Sequence, residues 1–104
     1  MAKNRRPVRT KATTSRRAPA SQSVVERVQT GVRMEKRILK VLRGLAEYHD
    51  MALGDLLEGI VLHVFEGKCP FGEQSLAKIA ALKQVYDLDL DASASHQMRE
   101  AGTE

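Results

Sequence analysis

Apolar and polar residues alternate with two different periods along this chain. From Arg27 to Met34 the period is two. Val28, Thr30, Val32 and Met34 fall on one side, and Arg27, Gln29, Gly31 and Arg33 fall on the other, which predicts one short strand. From Glu35 or Lys36 to Tyr48 the period becomes helical. Ile38, Val41, Leu42 and Leu45 make a stripe with Leu39 and Ala46 beside it, while Lys36, Arg37, Lys40 and Arg43 take much of the remaining surface. His49-Asp50-Met51-Ala52 is a short connection, so the next helix is expected to be a spatial neighbour. That helix spans Leu53 to Phe65. Leu53, Leu56, Leu57, Ile60, Val61, Val64 and Phe65 recur at the spacing of one broad face. Gly67 is placed to close it and Pro70 to stop any continuation. Residues 71–86 predict a weaker third helix, lined by Leu76, Ile79, Leu82 and Tyr86, that has room to pack on the core, cap a dimer or dock a protein partner.

A strand cannot leave its hydrogen-bonding edges unmet in a compact domain. No other segment is a convincing strand, so the expected pairing is with the same segment of a second copy. The wide apolar arc of the second helix points the same way, because one strand and two helices seldom bury enough surface alone. Together these features predict a mainly α fold with one short strand. They divide the chain into a disordered basic tail over residues 1–23, a domain over 24–68, and a C-terminal helix with a frayed acidic tail over 69–104.

Charge changes the picture more than its total of +4 suggests. Residues 1–44 hold 13 Lys and Arg against two acids, and residues 45–104 hold four against 11. Such polarity suits one end to a polyanion. Nucleic acid is the commonest polyanion for a small protein, and an anionic membrane surface competes with it. In the tail, Arg5, Arg6, Arg9, Lys11, Arg16 and Arg17 are suited to phosphates without sequence preference. No apolar run approaches the ~20 residues of a membrane span, and the basic start is not followed by the apolar stretch of a secretory signal. A single Cys excludes an intramolecular disulfide. The expected location is cytoplasmic, on the nucleoid if the source is bacterial.

The order strand, helix, short turn, helix resembles the ribbon-helix-helix family, also called Arc/MetJ-like. Val28-Gln-Thr-Gly-Val-Arg-Met-Glu-Lys-Arg-Ile-Leu is similar to the family's strand and first-helix start, and Met51-Ala-Leu-Gly-Asp-Leu-Leu-Glu to its turn and second-helix start. About 40 residues are covered, through patterns of polarity. The resemblance implies a ribbon-helix-helix dimer whose two-stranded β-ribbon reads the DNA major groove. It implies base contacts from Gln29, Gly31 and Arg33, with Arg33 suited to guanine and Gln29 to adenine. It implies phosphate contacts from Arg27, Lys36 and Arg37 and from the backbone N–H groups of Leu53 and Gly54. Two positions depart from the family. Gly31 has no side chain to read with, and Ala52 replaces the Ser or Thr that often caps the second helix.

Nothing in the sequence reads as an enzyme. His49, His63 and His96 are scattered, His49, His63 and Cys69 have no zinc spacing, and no phosphate loop or nucleophile motif occurs. No cofactor, metal or catalytic residue is expected. The first functional reading is a sequence-specific DNA-binding homodimer acting as a transcriptional regulator. Antitoxin and plasmid-partition roles fit the same features, and residues 71–104 suit a toxin or other protein partner. A non-specific nucleic-acid coating protein and a protein-interaction module are the remaining alternatives.

Overall fold

Glu35 begins the helical part of the molecule. Its carboxylate accepts a 2.9 Å hydrogen bond from the Ile38 backbone N–H, which satisfies one of the amides a helix leaves unmet at its start. Helix α1 follows over Lys36–Tyr48, α2 over Leu53–Phe65 and α3 over Glu73–Val85, with a 3-10 turn at Ala92–Ala94. The computed structural model describes residues 23–102. The chain divides into two units, Met1–Val32 and Arg33–Glu104.

All three helices of the second unit end the same way. One residue turns left-handed after each: Asp50 (φ 55°), Gly67 (φ 73°) and Asp87 (φ 54°). The amide two residues beyond the cap then bonds back across the last turn. Met51 N reaches Ala46 O at 3.0 Å, Lys68 N reaches His63 O at 2.9 Å and Leu88 N reaches Lys83 O at 2.8 Å. This pattern closes the orphan carbonyls of each helix and reverses the chain. Asp tolerates the left-handed region better than most residues because its short side chain interacts locally.

α1 is the middle element and packs against both α2 and α3. The core is small. Val41, Leu45 and Ala46 of α1 and Leu56 of α2 are the buried hydrophobic residues among those described. Leu42, Ile60, Phe71, Ile79 and Leu82 pack around Leu45, Ala46 and Leu56. α1 has a clean apolar stripe, so it buries well. α2 is apolar at eight of its 13 positions, yet buries only Leu56. Its C-terminal half leaves Leu62 at 64% and Phe65 at 79% exposure, beside exposed Val61 and Val64. No helix among the described residues is long and apolar enough to cross a membrane.

The β-ribbon expected from the sequence is overturned. Residues 27–34 form no strand, and the described residues contain helices and turns without any strand. The segment carries no regular secondary structure, with Val28 at 81% and Val32 at 77% exposure. A period of two fixes which side chains share a face if the backbone is extended. It does not provide a ladder partner, and strand structure exists only through one. The architecture is therefore three helices preceded by an irregular segment, and the ribbon-helix-helix fold class does not hold. The tail expected over residues 1–23 lies, up to residue 22, outside the described residues.

Candidate nucleic-acid interface

In the first unit, Arg27, Gln29 and Gly31 are exposed on the irregular segment. In the second, Arg33 lies just before α1 and Lys36 and Arg37 begin it, with Arg33 and Lys36 exposed and Arg37 half-buried. Arg5, Arg6, Arg9, Lys11, Arg16 and Arg17 lie outside the described residues.

Arg37 is the best-anchored cation of the set. Its Nε donates to Glu35 Oε2 at 3.0 Å, and one terminal nitrogen donates to the Asp87 carbonyl at 2.9 Å and to Asp89 Oδ1 at 3.0 Å. The hydrogen bond to Glu35, followed by the attraction of that carboxylate and of Asp89, raises the Arg37 pKa above its ordinary value. Glu35 is shifted the other way. The Ile38 amide is the main cause, and Arg37 adds to it, holding the carboxyl below the ordinary 4.5. Arg33 is ion-paired as well, through its guanidinium to the Glu100 carboxylate. Both arginines are thus held by acids from the C-terminal segment. Beside Arg37 an open groove of about 630 Å³ is lined by Ala80, Lys83, Gln84, Asp87, Leu88 and Asp89. Its mixed charges favour no single class of ligand.

Leu53 and Gly54 are not brought to these arginines. They begin α2, which follows α1 after a four-residue turn, so the 13-residue length of α1, about 20 Å, lies between them and Lys36. No side chain caps this end of α2, because Ala52 has none to offer, and Asp55 places a carboxylate in its first turn. Leu53 is half-buried and Gly54 exposed. An anion at this end would meet Asp55, which opposes the helix dipole.

Three contributors were not legible beforehand. Asp89 and Glu100 meet arginines 52 and 67 positions away, and local periodicity carries no signal at that range. Opposite charge on residues 27–43 and 87–100 is the one hint the sequence holds. Glu35 caps α1 although Ser, Thr, Asp and Asn are the residues usually found there.

The remaining polar contacts are structural in character. His49 Nε2 lies 3.0 Å from Ser75 Oγ on the surface, tying the α1–α2 turn to the first turn of α3. Lys78 Nζ stands 5.0 Å from the Tyr48 ring centroid and Lys40 Nζ 5.6 Å from that of Tyr86. Among the described residues no group of three or more His, Cys, Asp or Glu is placed to hold a metal ion. No family model, no curated protein and no solved structure matches the chain.

Proposed function

We propose that the chain binds double-stranded DNA as a homodimer and acts as a transcriptional regulator in the cytoplasm, on the nucleoid if its source is bacterial. The observation that carries this reading is the charge distribution: the basic positions of the first 44 residues continue from the tail through Arg27 and Arg33 to exposed Lys36. Phosphate neutralisation supplies affinity along such a stretch. Arg33 supplies discrimination, because a guanidinium pairs bidentately with guanine. In this reading the segment before α1 meets DNA as a single irregular arm.

The dimer reading is supported by α2. The wide apolar arc of α2 asks for more cover than one neighbouring helix gives, and α1 covers only part of it. The test of function is selection of bound sequences from random duplex DNA at physiological salt. A short enriched motif is expected. Uniform recovery of all sequences would instead indicate a coating protein.

The exposed Leu62, Val64 and Phe65 also favour a second reading, a protein-interaction module such as the toxin-holding part of an antitoxin. In that case Arg33→Ala leaves function intact.

A further inference from the structure

We propose that the acidic C-terminal segment, residues 87–100, is an internal competitor for nucleic acid that occupies Arg33 and Arg37 in the free protein. The inference rests on the DNA-binding reading above.

Its first support is that the segment is built into the fold. Asp87 ends α3 in a left-handed turn, and Leu88 N–H bonds back to Lys83 O, so the chain leaves α3 in a fixed direction. Leu88 and Leu90 are half-buried and Asp89 between them is exposed. That alternation leaves the two leucines partly covered and turns Asp89 to solvent. Asp91 then caps the start of the 3-10 turn by accepting from Ser93 N–H at 3.0 Å. The turn carries the chain on to Glu100.

The second support is what the segment touches. Arg33 pairs with Glu100, and Arg37 pairs with Asp89 and the Asp87 carbonyl. Arg37 also donates to Glu35, so three protein acceptors share its donors. A guanidinium engaged in this way does not present its two-pronged face to a phosphate or a guanine. Residues 87–100 hold four acids, Asp87, Asp89, Asp91 and Glu100, against one base, Arg99. Their carboxylates offer the charge and acceptor chemistry that a phosphate backbone offers.

The third support is the strength of the contact. Exposed ion pairs are weak and are screened by salt. Two of them lower affinity without blocking it, and a duplex making several phosphate contacts displaces them. The device therefore acts as a threshold. Weak contacts with scattered polyanions are suppressed, and a site offering many contacts is admitted.

The test uses the full chain and two paired variants of equal charge. D89N/E100Q removes the two negative charges that pair with Arg37 and Arg33. E47Q/E73Q removes two acids elsewhere in the helical unit. Duplex affinity is measured at about 50 mM salt, after circular dichroism shows unchanged helicity. D89N/E100Q is expected to bind about three- to twenty-fold more tightly, as two exposed ion pairs allow, and E47Q/E73Q much less so. Without DNA, the Arg33 and Arg37 Nε–H resonances should shift in D89N/E100Q and stay in place in E47Q/E73Q. An equal gain in affinity for both variants, or unmoved arginine resonances, overturns the competitor while DNA binding stands. If neither the parent nor any variant binds duplex DNA, the functional reading falls and the competitor with it.

Discussion

Gly44 of α1 lies directly against the side chain of Leu82 of α3. A Cβ built on Gly44 would stand 2.9 Å from one Leu82 methyl and 3.2 Å from the other. The missing side chain sets how closely α1 and α3 approach. The atoms it would meet are the far ends of a flexible residue, so a small addition is absorbed by rotation and a branched one is not. Gly44→Ala should change stability by less than about 1 kcal/mol, because the gain in helix propensity offsets the crowding. Gly44→Val should cost about 1–3 kcal/mol. Urea unfolding of both variants checks this, and equal stabilities would mean that the helices separate freely.

Glu35 makes the start of α1 sensitive to acid. Its folded pKa is held below the ordinary 4.5 by the Ile38 amide first and Arg37 second. A depressed carboxyl contributes its stabilisation fully above the unfolded value and loses it as pH falls through the folded value. Helicity of α1 should therefore persist through pH 4.5 and decline below it. Carbon-13 titration of the Glu35 carboxyl should show the low midpoint, and Glu35→Gln should remove the cap's share of the pH dependence.

The C-terminal half of α2 should hold the dimer. Sedimentation equilibrium at micromolar concentration should give twice the 11.5 kDa chain mass. Leu62→Ser with Phe65→Ser should shift it to monomer, since both side chains are exposed in the single chain and are available for an interface. A parent protein that remains monomeric would leave that face to a different protein.

Arg33 should separate cognate from scrambled DNA. Arg33→Ala should cost roughly 1–3 kcal/mol on the selected motif and much less on scrambled duplex. Arg33→Lys keeps the charge but loses the planar fork, so it too should lose discrimination. Both are measured at one fixed salt. An equal loss on the two duplexes would reduce Arg33 to a phosphate contact.

The helices were legible because each element carries its own signal. α1 over Lys36–Tyr48 and α2 over Leu53–Phe65 follow the apolar stripes, and Gly67 takes the positive φ expected of a helix-closing glycine. The third helix, Glu73–Val85, falls inside the expected 71–86 lined by Leu76, Ile79, Leu82 and Tyr86, with Tyr86 as its C-cap. The segment 27–34 was misread because its alternation concerns side-chain direction, whereas a strand depends on hydrogen bonds to another stretch of backbone. In the interface, exposed Arg33 and Lys36 were readable as cations beside a basic run. Their local surroundings were not. The bonds from Arg37 to Asp89 and from Arg33 to Glu100 join residues that share no turn and no period. The separation of Leu53 and Gly54 from the arginines depends on the length of α1, which two short matching motifs do not convey.

The ion pair between Arg33 and Glu100 brings together the two extremities of the helical unit. Topologically the unit is close to a closed ring. Its start and finish are neighbours, so the point at which the chain is opened is a matter of covalent order and hardly of packing. A short linker joining the residues after 100 to Arg33, with a new opening cut in the exposed Glu66–Cys69 stretch, should leave α1 between α2 and α3 as before. Folding of the three helices is therefore separable from the covalent order in which they are joined.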